Sequence, residues 1–260
     1  MKPYHEIVNA GPFTEKSDIL KSVFFSNTSY EVRTQLNGIL GLAQLILKSK
    51  EINSDIQNDV KMIVESGNSL LTLFDNIMDM MKIDAGEMQI NCKPFFLNTL
   101  MDELFSIFIV SPVYKQKNAG RQNIILKYEK ARENITIMSD RVRLKQILVN
   151  LIDNALKLTQ KGFVRFGYAI NGKEINFYVS DSGIGIPKDQ VEKLFDRVSQ
   201  ADHTFTGKTV GTGLGLTISK GLITLMNGKI WCESELGIGS TFYFTLPFRP
   251  ATMLTSRSFR

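Results

Sequence analysis

The chain has 260 residues, of which 43% are hydrophobic and 22% are charged. This composition supports a folded core and excludes an intrinsically disordered or collagen-like protein. The longest uninterrupted apolar runs are short, as at residues 107–110, so no transmembrane segment is predicted. Because there are only two cysteines and two histidines, neither a disulfide framework nor a Cys- or His-based metal site is expected, and a reducing, cytoplasmic setting fits best.

The formal net charge is +5, a weak bias for a chain of this length. No basic run interleaved with aromatic residues indicates a nucleic acid partner. The most basic stretch is interpreted as a solvated, loop-rich face rather than a binding site. It contains Lys115, Lys117, Arg121, Lys127, Lys130 and Arg132.

Residues 1–16 show no periodicity and are predicted to be a tail or linker. Residues 17–84 are predicted to form two long helices, since apolar or small residues recur at alternating steps of four and three. Ser54 followed by Gln57 has capping-box spacing and predicts the start of the second helix. One side of such a hairpin's seam is uncovered, so a four-helix bundle in a dimer is expected. The seam positions are Phe25, Ser29, Val32, Leu36, Ile39, Ala43 and Ile46, then Ile56, Val60, Ile63, Gly67, Leu70, Phe74, Ile77 and Met81.

Residues 85–248 are predicted to form an α+β layer domain, because helical and extended stretches alternate there, and residues 249–260 a C-terminal tail. Asn171-Gly172 is a strong hairpin-turn signal between two extended stretches. The predicted helices are 97–110, 140–158, 188–195 and 214–226, and the predicted strands are 124–128, 135–138, 163–170, 174–179, 229–235 and 241–246.

Asn150, Asn154 and Lys157 stand at positions i, i+4 and i+7 of a predicted amphipathic helix. At 100° per residue they share one face, opposite the apolar side. Amide oxygens can hold Mg²⁺, and a lysine can pair with a phosphate. The alternative is a polar face that is merely solvated.

A glycine-containing segment begins at Asp181, directly after a predicted strand, and includes Gly183 and Gly185. Glycines there permit positive φ and close approach of the backbone to a ligand. The Asp181 carboxylate could accept a hydrogen bond from the exocyclic amine of a base. The alternative is a tight turn between strand and helix.

A second glycine-rich segment opens a predicted helix. Free N–H groups and the helix dipole at such a terminus can hold a phosphate. No predicted strand precedes it and no Gly-Lys-Ser/Thr ends it, so it is neither a Rossmann fingerprint nor a P-loop. It consists of Gly211, Thr212, Gly213, Leu214, Gly215 and Leu216.

In this order and spacing, the motifs resemble the boxes of the ATP-binding domain of histidine kinases. The N box is similar to 150–157, the G1 box to 181–185, the F box to 194–195 and the G2 box to 211–216, and 239–247 is similar to the closing strand. The resemblance implies a two-layer α/β sandwich of the histidine kinase, Hsp90 and gyrase type, with ATP and Mg²⁺ as cofactors.

The site residues implied by this resemblance come from the N, G1 and G2 boxes, from the closing strand and from the lid, which is the segment between the F and G2 boxes. Asn154 is the implied metal ligand. In the lid, Lys208 lies near a position where the family often has Arg, and Val210 stands where it often has Gly. The implied nucleotide-binding residues are Asn150, Asn154, Lys157, Asp181, Gly183, Gly185, Lys208, Gly211, Thr212, Gly213, Leu214, Gly215 and Thr241.

The N-terminal hairpin resembles the dimerisation and phosphoacceptor domain of the same family. Tyr30 stands where the phosphoaccepting histidine is expected, and Gln35 where the family has proline. Glu31, the implied proton acceptor, and Thr34 are kept. A phenol with a pKa near 10 is mostly protonated at neutral pH and forms a stable ester, so Tyr30 is a poor substitute in a relay.

The sequence therefore leaves several functions open within two-component signalling and its phosphorelays. The favoured hypothesis is a degenerate kinase, or pseudokinase, that binds ATP and acts as a regulator through dimerisation. The alternative is an active transferase that phosphorylates the histidine of a partner chain. Autophosphorylation, tyrosine phosphorylation and ATP hydrolysis are less favoured, the last because the amide of Asn150 cannot act as a base. Expected partners are a second copy, a related histidine kinase and a response-regulator receiver domain.

Overall fold

The structure of the protein is a computed structural model, and it describes residues 32–49, 53–119, 123–129, 134–195 and 213–250. The chain divides into two compact units, Met1–Met88 and Gln89–Arg260. Among the described residues, no helix has the length and apolar character needed to cross a membrane.

The first unit is a pair of antiparallel helices. Helix α1 is described over residues 32–48, and α2 spans Ser54–Asp84. The helices approach closely where Leu40 lies 2.6 Å from the position that a Cβ of Gly67 would take. An ion pair of 2.5 Å between Arg33 Nη2 and Asp75 Oδ1 also joins them. A side chain at Gly67 would therefore require the Leu40 side chain to move.

Helix α2 begins at Ser54 as predicted, but the capping residue is Asn53 rather than Ser54. The Asn53 Oδ1 accepts a hydrogen bond of 2.8 Å from the Ile56 N–H. An Asn side chain satisfies this otherwise unpaired donor at least as well as Ser does. The helix ends as expected before Gly86, whose φ is +69°.

Six of the thirteen described positions of the predicted hairpin seam are exposed in the single chain, and Phe25 and Ser29 lie outside the described residues. Leu40, Ala43, Val60 and Met78 are buried between the helices. The apolar seam residues left exposed are Ile39, Ile46, Ile56, Ile63, Leu70 and Ile77. This apolar face is what a second hairpin would cover.

The described residues of the second unit form two sheets and five helices. Strand order is β2-β4-β5-β7-β6 in the larger sheet, where β2 and β4 are parallel and the other pairs antiparallel; β1 and β3 form a separate antiparallel pair. The strands are β1 (Lys93–Phe96), β2 (Ile124–Glu129), β3 (Thr136–Ser139), β4 (Gly162–Asn171), β5 (Glu174–Asp181), β6 (Lys229–Glu235) and β7 (Gly239–Pro247). The helices are α3 (Leu97–Ile109), α4 (Pro112–Ala119), α5 (Arg141–Leu158), α6 (Lys188–Val191) and α7 (Leu214–Leu225).

Helices α3, α5 and α7 pack on the larger sheet and bury alternate residues of its central strands. Phe166, Phe177 and Phe244 are fully buried there, and the rings of Phe177 and Phe244 stack at 4.6 Å. This confirms the predicted helical hairpin followed by a layered α/β domain.

Two helices of this unit differ from the sequence prediction. The helix predicted over 97–110 ends at Ile109. A further helix, α4, then begins at Pro112, because proline is well suited to the first helical position. The helix predicted over 188–195 is limited to Lys188–Val191.

Candidate nucleotide-binding site

Helix α5 carries the first motif, and both of its ends are anchored. At its start Asp140 is 5% exposed, and its Oδ1 accepts hydrogen bonds of 3.0 Å from the N–H groups of Val142 and Arg143. Its Oδ2 accepts a bond of 2.8 Å from the Asn91 N–H. The apolar side of the helix is buried on the sheet, so Asn150 and Asn154 stand half-buried on the other side, and Lys157 is exposed.

Asn150 contacts the first turns of α7. Its Nδ2 donates a hydrogen bond of 3.1 Å to Ser219 Oγ. A Cβ at Gly215 would overlap Asn150 Oδ1, so this close approach requires glycine. The N-cap of α7 is Gly213, with φ of +68°. The N–H groups at this end of α7, the kind of helix terminus that can hold a phosphate, therefore lie beside the amide of Asn150.

Lys157 is held by a neighbour on its own helix. Its Nζ lies 2.5 Å from Asp153 Oδ2, one turn earlier, with both side chains partly exposed. Such a pair stabilises a helix only slightly, but it fixes where the ammonium stands. The sequence motif did not include Asp153.

Asp181 is the most buried acidic group of the predicted site. It ends β5 and is 7% exposed, and its Oδ1 accepts a hydrogen bond of 2.8 Å from the Gly183 N–H. Burial raises the pKa of the carboxyl to about 6, against the opposing effect of backbone hydrogen bonds from Gly183 and Ser240. A buried carboxylate with spare acceptor capacity suits a neutral hydrogen-bond donor such as an amine of a nucleobase.

The loop after Asp181 is fixed to the turn between β6 and β7. The Gly237 N–H donates to the Ile184 carbonyl at 2.7 Å, and the Ile186 N–H donates to Ser234 Oγ at 2.7 Å. Gly185 has φ of +68°, and a Cβ there would overlap the Glu235 backbone. The loop is thus a preformed wall beside Asp181.

The structure does not bring Thr241 to the face of Asp181. Asp181 pairs with Ser240 in the sheet, and Thr241 pairs with Ser180, to which it is joined by a hydroxyl–hydroxyl hydrogen bond of 2.9 Å. Successive side chains of a strand point to opposite faces, so Ser240 shares the face of Asp181 and Thr241 does not. Alternation with the apolar residues of β7 was the sequence signal for this.

Several predicted site residues lie outside the described part of the chain. They are Tyr30, Glu31, Lys208, Gly211 and Thr212, and Val210 of the lid also lies outside the described residues. Thr34 is described and is exposed on α1 in the first unit. Of the F box, Phe195 is described, and its ring meets that of the buried Phe242 edge-on at 6.3 Å.

The amides and glycines fit a nucleotide better than they fit a metal ion alone. Among the residues that the structure describes, no group of three or more His, Cys, Asp or Glu side chains could hold a metal. Mg²⁺ keeps few protein ligands when it is bound together with phosphates, so Asn154 and an amide neighbour could serve a cation that arrives with a polyphosphate.

Lys117 is a further residue connected to this site that sequence reasoning missed. It was interpreted as part of a solvated basic face, but it donates hydrogen bonds to three backbone carbonyls at the end of α5. No motif could have indicated this, because backbone carbonyls are alike in every sequence.

Comparisons with known proteins agree with this geometry. Residues 20–86 match the family model "His Kinase A (phospho-acceptor) domain", and residues 139–250 match "Histidine kinase-, DNA gyrase B-, and HSP90-like ATPase". The chain is 35% identical over 241 residues to the autoinducer 2 sensor kinase/phosphatase LuxQ of Vibrio parahaemolyticus, covering 90% of this chain and 27% of LuxQ. It is 36% identical over 232 residues to the sensor histidine kinase GacS of Pseudomonas protegens, covering 87% of this chain and 24% of GacS.

Among solved structures, full-length ShkA in complex with AMPPNP is similar, with a TM-score of 0.70 and 31% identity. That similarity covers 88% of this chain and 46% of ShkA. The chain spans about a quarter of the length of the curated relatives it matches.

Proposed function

Because this chain belongs to the two-component histidine kinase family, we propose that it binds ATP with Mg²⁺ but does not phosphorylate its own hairpin, and that it acts through dimerisation as a degenerate kinase or regulator. The observation that carries this proposal is the contrast between its two parts. In the second unit, hydrogen bonds hold Asn150 and Asp181, the polar residues of the proposed nucleotide site, whereas Tyr30 stands where the sequence resemblance implies the acceptor histidine.

The nucleotide would be held from three sides. Asp181 would accept a hydrogen bond from the exocyclic amine of adenine. The N–H groups at the start of α7 and the Lys157 ammonium would contact the phosphates, and Asn154 would face the cation. Burial of Asp181 and the close approach of Gly215 to Asn150 support this arrangement.

The first test of this proposal is calorimetric titration with Mg·ATP, in which the wild-type protein should bind and Asp181→Asn should bind more weakly. A carboxylate–amine hydrogen bond is charge-assisted, so its loss should cost about 1.5–3 kcal/mol. Asn154→Ala should weaken Mg·ATP more than metal-free ATP. A wild-type protein that does not bind ATP would overturn the proposal.

Phosphoryl transfer to a histidine of a partner chain is the second candidate function. The hydrogen bonds that hold Asn150 and Asp181 favour it, because a transferase acting on a partner chain would need the same nucleotide site. Mixing the protein with Mg·ATP and a His-containing homologue that cannot bind ATP separates the two. Acid-labile phosphate on the homologue would support transfer in trans, and measurable ATP binding without label would support the regulator.

Dimerisation would use the apolar face that α1 and α2 leave exposed. The partner would be a second copy or a related kinase, and a receiver domain of a response regulator is the further expected partner. The proposal also includes a cytoplasmic location. It is supported by the two described cysteines, Cys92 and Cys232, which are both free. Light scattering that shows only monomers at high micromolar concentration would count against the dimer.

A further inference from the structure

Lys117 makes an unusual set of contacts at the end of α5. Its Nζ donates to the carbonyl oxygens of Leu156 at 2.6 Å, Lys157 at 2.7 Å and Thr159 at 2.6 Å. The last four carbonyls of a helix have no partner within it, and they carry the negative end of the helix dipole. An ammonium has three donors, and here all three are used on this terminus.

Helix α4, which contains Lys117, is held by hydrogen bonds from its side chains to the backbone of other elements. None of the residues of α4, all of which the structure describes, is buried. The neighbouring Asn118 side chain exchanges hydrogen bonds with the Ile124 backbone, at 2.8 Å from the N–H and 3.2 Å to the carbonyl. Asn118 therefore ties α4 to β2, and Lys117 ties it to α5.

The last turn of α5 also belongs to the proposed nucleotide site, through Lys157 and through its contact with the loop that follows Asp181. It includes Lys157, whose carbonyl is one of the three acceptors. A Cβ at Gly183 would lie 2.9 Å from the Leu158 carbonyl oxygen, so the same turn contacts the loop that follows Asp181. The next residue, Thr159, is fully buried.

We propose that Lys117 is a positioning residue for nucleotide binding, which holds the end of α5 so that Lys157 meets the phosphates. Lys117 itself touches no part of the nucleotide in this proposal. The inference rests on the proposed function, because it assigns Lys117 a role only if Lys157 contacts phosphate. Burial lowers the pKa of the Lys117 ammonium, and the three carbonyls stabilise its charged form.

The test compares Lys117→Met with Lys115→Met, a control that removes the same charge from an exposed position of the same helix. The variants are compared by calorimetry at a temperature where every variant is folded. Lys117→Met should weaken Mg·ATP binding about tenfold, the effect of losing one charge-assisted hydrogen bond from Lys157 to a phosphate. Adenosine binding should weaken by a smaller factor, because adenosine has no phosphate for Lys157. The control should bind both ligands as the wild type does.

A double-mutant cycle distinguishes positioning from a merely structural role. If Lys117 acts through Lys157, then adding Lys117→Met to Lys157→Met should cause little further loss of Mg·ATP affinity. Should Lys117→Met fail to fold, Lys117→Arg serves instead, since its planar guanidinium keeps the charge but does not converge on three carbonyls in the same way.

If the wild-type protein binds Mg·ATP and the Lys117 variants bind it with the same affinity, the inference is overturned and the proposed function stands. Equal losses for Mg·ATP and adenosine, or additive losses in the cycle, would also overturn it. No ATP binding by the wild-type protein would overturn both.

Discussion

Replacing Asp181 with Asn should affect the stability of the nucleotide-free protein differently at acidic and at neutral pH. Compared with wild type, the free energy of unfolding of the variant should be more favourable at neutral pH than at acidic pH. Burial raises the pKa of this carboxyl from its ordinary 3.8 to about 6. A carboxyl whose pKa is higher in the folded than in the unfolded state contributes stability that is complete below about pH 3.8 and is lost as pH rises through 6. Above pH 7 the ionised group should therefore cost the fold up to about 3 kcal/mol.

The variant should recover part of this cost. An Asn at 181 can keep the hydrogen bond from the Gly183 N–H through its carbonyl oxygen, but its NH₂ group needs an acceptor, and a buried amide without one costs about 1–3 kcal/mol. This penalty does not depend on pH. Between pH 4 and pH 7.5, the difference in unfolding free energy should therefore shift by about 2 kcal/mol in favour of the variant.

Denaturant unfolding followed by tryptophan fluorescence would measure this shift. Trp231 is the single tryptophan of the chain and lies in β6, so it reports on the unit that contains Asp181. Asp189→Asn, which removes an exposed carboxylate of the same unit, is the control and should show no such shift. A difference between Asp181→Asn and wild type that stays constant across this pH range would refute the reasoning. Because the same variant should bind ATP more weakly, stability and binding should move in opposite directions.

Three further predictions concern the hairpin, the acceptor position and the start of α7. Ile77→Lys should place an unpaired charge in the proposed dimer face and give monomers in light scattering, while helix content measured by circular dichroism changes little. Tyr30→His should restore weak acid-labile autophosphorylation, and adding Gln35→Pro should increase it, because proline loosens the helix beside the acceptor. If the double variant binds ATP normally but carries no acid-labile phosphate, the changes that prevent autophosphorylation extend beyond these two positions. Gly215→Ala should push Asn150 away from α7, lowering the free energy of unfolding by about 1–3 kcal/mol and weakening Mg·ATP binding; an alanine variant that is as stable and binds as well as wild type would contradict this reasoning.

Several parts of the fold and site could be predicted from local sequence signals. The apolar period of α5 placed Asn150, Asn154 and Lys157 on one face, and the structure shows this helix with its apolar side buried. The position of Asp181 at the end of a strand followed from the glycines after it. These signals are local, because side-chain periodicity and turn chemistry act within a few residues.

Other features depended on contacts between distant segments. The parallel pairing of β2 with β4 has no local signature in either strand. The choice between Ser240 and Thr241 depends on strand register, since a shift of one residue would exchange their faces. Asp181 could be predicted as a ligand group, but its raised pKa arises from burial by residues far along the chain.

The sequence by itself determined the family motifs and the prediction that Tyr30 stands at the acceptor position, because both rest on residue identity at fixed spacing. Only the tertiary structure decided the role of Lys117. Its three acceptors are backbone carbonyls 39 to 42 positions away, and every residue carries the same carbonyl. The partner of such a group is therefore selected by where the chain folds, and a lysine that looks solvated in the sequence caps the helix of the proposed nucleotide site.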